Sequence, residues 1–261
     1  MRISIVHQLV DPRKRWLLDL FLMSPLLLAD YDKDMETIQE KVLVTGASGY
    51  IALHCISELL KKGYKVKGSL RNLNRENAVR QSLGTEFEDK KLEFCKLNLL
   101  EDGGWGNATS DCDYLLHIAS PCFIEEPKNV KQIIKSALEG TLRALKAAKK
   151  SKVKKIVLTS SMGAIAYGHN KSICDHTDWT DISQDVGAYI KSKTIAEKAA
   201  WDFINNQSNA SFRMTTIHPG MVFGPLLSKD IDGISASLIT KMITGKFPAL
   251  PDIYFTVVDV R

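Results

Sequence analysis

The sequence predicts an α/β chain built on a doubly wound parallel sheet, and three observations carry that prediction. Short runs rich in Val, Ile and Leu lack strict alternation, helix-length stretches lie between them, and a glycine-rich turn follows the first run. Runs without alternation are strands buried on both faces, as when helices cover a parallel sheet. Strand and helix alternating along the chain build such a sheet by crossover connections.

The strand-like runs are Lys41–Thr45, Lys65–Leu70, Leu92–Leu97, Tyr114–Ile118, Ile156–Thr159 and Met214–Ile217. Helices are expected at about 50–62, 74–83, 127–150 and 187–206. At 261 residues the length suits a single α/β or large all-β unit with room for a subdomain, and the strand and helix alternation selects the former. A composition of 44% hydrophobic and 25% charged residues excludes disorder, collagen-like repeats and a polytopic membrane protein.

The net charge of +5 is scattered, and no zinc-finger spacing or aromatic ribonucleoprotein motif accompanies it. It suits a small anionic ligand, and nucleic acid is not expected as a partner. Five cysteines, none in a C-x-x-C pair, and six histidines without H-x-x-x-H spacing argue against a metal site or disulfide framework. They favour a reducing, cytoplasmic compartment.

Residues 1–40 read as an extension. Arg13, Lys14 and Arg15 precede an apolar run, 16–29, that Asp19 and Pro25 interrupt. The run is shorter than the roughly 20 residues of a spanning helix. A packed or disordered extension without firm membrane association is expected; the alternative is a signal or membrane-surface anchor. N-x-S/T triplets at Asn107, Asn170, Asn206 and Asn209 keep that secretory option open.

The first chemistry lies in Thr45-Gly46-Ala47-Ser48-Gly49-Tyr50-Ile51-Ala52, between the first strand and the first helix. Gly46 permits a tight turn, Gly49 permits close approach of backbone N–H groups to phosphates, and Ala52 lets the helix pack on the sheet. A dinucleotide is the expected ligand. At the end of the second strand, where an NAD site wants a carboxylate for the ribose, stands Arg71. A guanidinium there pairs with a 2′-phosphate, so NADP(H) is expected, with Arg75 or Arg80 as possible helpers.

Tyr189 and Lys193 are spaced i, i+4 in a helical stretch, which puts phenol and ammonium on one face. The expectation is that Lys193 lowers the Tyr189 pKa, letting the phenol pass a proton to a carbonyl oxygen. Tyr167 and Lys171 repeat the spacing, but Gly168 and Asn170 mark that copy as a loop. Thr159-Ser160-Ser161 ends a strand where open parallel sheets bind ligands, and Ser161 is favoured over Ser160 as the donor to the substrate oxygen.

Lys41 to Arg261 resembles the extended short-chain dehydrogenase/reductases, within them the dihydroflavonol-4-reductase-like NADPH-dependent aldehyde and ketone reductases. TGASGYIA, HIASP (117–121), EGTLRALKAA (139–148), VLTSSMGAIAYG (157–168), AYIKSKTIAEKAAW (188–201), HPGMVFGP (218–225) and ALPDIYFTVVDVR (249–261) carry the resemblance in order. It implies a Rossmann-type fold, Ser161, Tyr189 and Lys193 as the catalytic set, and a second task for Lys193 on the nicotinamide ribose. It also implies that Ala119 and Ser120 line the cofactor cleft and that Pro219, Gly220 and Val222 present backbone to the nicotinamide. The substrate it implies is a small carbonyl compound, and the assembly a monomer or homodimer.

Three departures qualify this. Asn98-Leu99 stands where the family shows an Asp-Leu pair contacting adenine; an amide still bonds a base. Ile165-Ala166 follows the TSS motif where plant flavonoid enzymes place a polar residue, which favours a smaller or more apolar carbonyl. Family members also continue past VDVR, so 41–225 is expected to be the NADP-binding domain and 226–261 the start of an incomplete C-terminal substrate lobe. That incompleteness makes a non-catalytic NADP(H)-binding protein the alternative to a reductase, with a sugar-nucleotide epimerase or hydroxysteroid dehydrogenase behind both.

Overall fold

Six apolar runs become six parallel strands: β1 (Lys41–Val44), β2 (Lys65–Leu70), β3 (Leu92–Lys96), β4 (Tyr114–His117), β5 (Lys155–Thr159) and β6 (Arg213–Ile217). They lie in the order β3-β2-β1-β4-β5-β6, with every neighbouring pair parallel. A computed structural model describes residues 39–85, 87, 89–123, 128–206, 212–227, 234–246 and 256–261. The basic patch and apolar run of the extension lie outside the described residues. All six strands belong to the unit Glu40–Arg261.

Period two along β1 explains why the strands read as unbroken apolar runs. Val42 and Val44 belong to a core with Ala52, Leu53, Ile56, Val66 and Val79. Leu43, between them, belongs to a separate core with Trp105, Leu115, Leu145, Ala148 and Ile156. Both faces are thus covered, one by α1 (Tyr50–Lys61) and α2 (Glu76–Leu83), the other by α4 (Val130–Lys150) and α5 (Ala188–Asn205).

The helix ends follow local chemistry. Asn129 caps α4, its side chain accepting from Gln132 N at 3.0 Å, so the helix begins at 130 rather than 127. Short elements escaped the sequence pattern. Helix α3 (Trp105–Thr109) is too brief for a 3.6-residue period; buried Trp105 anchors it, donating Nε1–H to Glu101 O at 3.1 Å. Thr109 is fully buried there and its hydroxyl donates to Trp105 O, which closes the Asn107 triplet inside a helix. Strands β7 (Met221–Phe223) and β8 (Val257–Asp259) pair in parallel across the expected boundary at 225, with α6 (Ile234–Ile243) between them. Among the described residues, no helix is long and apolar enough to cross a membrane.

The strand order reverses between β1 and β4, whose carboxyl ends part to leave a crevice. Ligands of open parallel sheets bind at such a point.

Candidate active site

A cleft of about 1270 Å³ opens there. Its floor starts at Gly46, whose φ of +73° suits glycine and whose added Cβ would lie 3.1 Å from Ala119 Cβ. Gly46 N donates to Ser69 Oγ at 3.1 Å, and Gly49 N to Gly46 O at 2.8 Å. Gly49 caps α1 without any side-chain hydrogen bond. Ser48, Gly49, Tyr50 and Ile51, around the start of that helix, line the cleft, where first-turn N–H groups without a side-chain cap can meet a phosphate.

Thr45 locks this turn to the neighbouring strand. Its hydroxyl oxygen accepts from Ile118 N and Ala119 N, each at 3.0 Å, and lies 3.0 Å from His117 Nδ1. With two amides donating to the oxygen, the Thr45 proton goes to Nδ1, which leaves the histidine proton on Nε2. Burial, with the Lys193 charge, takes His117 down to about 3 and keeps it neutral.

At the far end Arg71 is exposed and lines the cleft. Arg75 and Arg80 do not line it, which corrects the expectation that either assists. Arg80 is committed to packing α2 on β3: it donates to Glu76 Oε1 at 3.0–3.1 Å, Asp89 Oδ1 at 2.5 Å and Leu92 O at 2.9 Å. Asn98 and Leu99 line the cleft, but the Asn98 amide serves its own loop. Oδ1 accepts from Leu100 N at 3.1 Å and Nδ2 donates to Glu101 Oε1 at 2.6 Å, leaving one N–H for a base.

The other end gathers the side chains. The Ser161 hydroxyl accepts from Gly163 N at 3.1 Å and pairs with the Tyr189 hydroxyl. The Ser160 hydroxyl instead donates to Glu197 Oε2. Lys193 is buried, and its ammonium donates to Thr159 O at 3.0 Å. Burial brings it down to about 8 against the upward pull of Cys122 and Glu197. Tyr189 is raised above the ordinary phenol range, chiefly by burial and next by Cys122, with the Ser161 bond acting against both. The expectation that Lys193 lowers the Tyr189 pKa is thus corrected: the ammonium is directed at the β5 carbonyl, and burial of the phenol dominates.

Ala119, Ser120, Pro219, Gly220 and Val222 line the same cleft. Gly220 has no room for a side chain, since a Cβ would collide with Thr256 Oγ1. Tyr167 reaches the cleft as well, while Lys171 turns away to Asp178. Residues that sequence reasoning missed are Cys122, beside Tyr189 and Lys193, the cleft cation Lys128, and the buried Glu197–His218 pair. The i, i+4 step from Lys193 to Glu197 was the available signal.

Among the described residues no carboxylate lines the cleft, whereas Arg71, Lys128 and Lys193 do. Cations, glycines and an uncapped helix start fit a dinucleotide carrying an extra phosphate.

Residues 42–256 match the NAD dependent epimerase/dehydratase family. The chain belongs to that family. It is 36% identical over 228 residues to a cinnamoyl-CoA reductase of Medicago truncatula, covering 84% of this chain and 68% of the relative. It is 33% identical over 224 residues to the bifunctional dihydroflavonol 4-reductase/flavanone 4-reductase of Malus domestica, covering 83% and 62%. The fold resembles the crystal structure of yeast methylglyoxal/isovaleraldehyde reductase complexed with NADPH, with a TM-score of 0.74 and 29% identity over 84% of this chain and 70% of that one. These family relatives are reductases by name, which places the chain among oxidoreductases of the extended short-chain type.

Proposed function

We propose that the chain binds NADPH and reduces the carbonyl of a small, largely apolar aldehyde or ketone. The observation that carries this is the Ser161–Tyr189 hydroxyl pair at one end of a cleft that lacks a lining carboxylate among the described residues and ends in Arg71. The glycine turn and the start of α1 would hold the pyrophosphate, and Arg71 the 2′-phosphate. Asn98 and Leu99 would flank the adenine, with Ala119 and Ser120 along the cleft wall. Pro219, Gly220 and Val222 would face the nicotinamide. When bound, the reduced nicotinamide supplies the hydride.

The residues supply the rest. A phenol raised by burial stays protonated at neutral pH, the form a reduction consumes, so Tyr189 donates its proton to the oxygen developing negative charge. The Ser161 oxygen accepts from Gly163 N–H, and its one rotatable proton, which bonds Tyr189 in the absence of substrate, would turn to hold that same oxygen in place. Lys193 spends one N–H on Thr159 O, leaving two for ribose hydroxyls.

Cys122, Phe123, Met162, Ile190, Met221 and Leu238 surround this end, and the Phe123 ring stands edge-on to Tyr189 at 6.2 Å. Ile165, 5% exposed, and Ala166 do not line it. Such a wall favours an apolar carbonyl compound over a polyhydroxylated one. NADPH oxidation across an aldehyde and ketone panel tests the reading. Turnover that disappears in Tyr189→Phe with NADPH binding retained supports it. Tight NADPH binding without turnover across the panel selects the non-catalytic alternative.

A further inference from the structure

Glu197 follows Lys193 by four residues and Tyr189 by eight on α5, so the three side chains share one helix face. Only 3% of Glu197 is exposed. Ser160 donates its hydroxyl proton to Oε2, His218 Nε2 lies 2.9 Å from both carboxylate oxygens, and Trp201 Nε1 donates to Oε1 at 3.3 Å. Donors from three segments converge on one carboxylate, and they hold it below the usual range against the opposing effect of burial. Ser160 immediately precedes Ser161, and His218 immediately precedes Pro219 and Gly220. One buried anion therefore joins the ends of β5 and β6 to the helix that carries Tyr189 and Lys193. A cavity of about 10 Å³ is lined by both Glu197 and Lys193, together with His117, Thr141 and Ser160.

We propose that Glu197 is the positioning residue of this site, the counter-charge of Lys193 and the anchor that fixes the Ser161 and Pro219–Gly220 segments onto α5. The proposal rests on the reductase reading only in the role given to Lys193. Titratable groups acting on Lys193 are Glu197 from its own helix, Cys122 from the loop after β4 and His117 from the end of β4. Tyr189 shares its face, and His218 acts on Glu197 from the end of β6. His117 is neutral, and burial pushes the Cys122 thiol up, so it too is uncharged near neutral pH. Glu197 is the carboxylate of the group, and Cys122 pulls Lys193 the same way once its thiol ionises at higher pH.

Glu197→Gln keeps the shape and removes the charge. Lysine NMR of the cofactor-free protein is expected to show Lys193 losing its proton near pH 8 in the wild type and about one pH unit lower in the variant. The alkaline limb of kcat for carbonyl reduction moves the same way, because activity that needs the ammonium is lost as pH rises through its pKa. Glu197→Asp and Trp201→Phe both keep the carboxylate and leave the midpoint near the wild-type value. An unmoved midpoint in Glu197→Gln overturns the proposal however far turnover falls, since a packing role lowers rate and stability without moving a lysine titration. If that variant does not fold, Lys193→Met decides by reciprocity: the Glu197 carboxyl titration must rise by a similar amount, and an unchanged titration overturns the proposal. Wild-type protein without turnover on any carbonyl would sink the reductase reading while both titrations still judge Glu197.

Discussion

The two ends of the cleft are built from different materials. Around Gly46 the site is main chain: a turn at φ +73°, an uncapped helix start, and a hydroxyl from Ser69 that steadies the Gly46 amide. Around Tyr189 it is side chain: two hydroxyls, an ammonium, and a carboxylate held by three donors. A backbone site is damaged by whatever alters the path of the chain. A side-chain site loses its chemistry with a single functional group while its shape survives.

The largest test of that contrast is Tyr189→Phe. Loss of the phenolic proton is expected to lower kcat by roughly 10²–10⁴-fold, while NADPH affinity measured by fluorescence titration changes less than about two-fold, because the phenol is no part of the phosphate cradle. Gly46→Ala should do the reverse. The methyl forces a left-handed residue and crowds Ala119, so NADPH affinity is expected to fall about ten-fold or more and the unfolding free energy by roughly 1–3 kcal/mol. Arg71→Ala is expected to weaken NADPH binding about ten-fold and leave NADH binding unchanged, since the lost partner is a charge-assisted contact to the 2′-phosphate alone.

Another effect is one of pH. His117 has its folded pKa depressed from 6.5 to about 3, so its contribution is complete above about pH 6.5 and is lost as pH falls toward 3. Between pH 6.5 and about pH 4, the Tm of the wild type should drop about 5 °C further than that of His117→Asn. Equal slopes in the two proteins would mean that the histidine charges without disturbing the Thr45 turn.

The same contrast decides how much could be read from sequence. The parallel strands were legible because a strand buried on both faces writes an apolar run, as Val42-Leu43-Val44 does. Gly46 was legible because its left-handed turn excludes other residues, and Gly49 because its spacing from Gly46 opens a helix after a strand. That Ser161, Tyr189 and Lys193 meet at one cleft was legible through an i, i+4 step and a strand end. Glu197 and His218 were not, since they lie 21 residues apart and meet only when β6 sits beside β5. Arg80 misled for a similar reason: a helix cation looks free until Glu76, four residues earlier, and Asp89 claim it. The strands β7 and β8, three residues each, carry too little pattern to register alone.

Gly68 shows how far a site's requirements extend beyond its contacts. A Cβ there would lie 2.8 Å from Ala47 Cβ and 2.9 Å from the Phe94 ring, although Gly68 is absent from the cleft wall. Its bareness gives the phosphate turn a flat bed on the neighbouring strand. A catalogue of ligand neighbours would pass over this residue, yet a methyl placed on it would tilt the whole loop and register as weakened nucleotide capture at a distance.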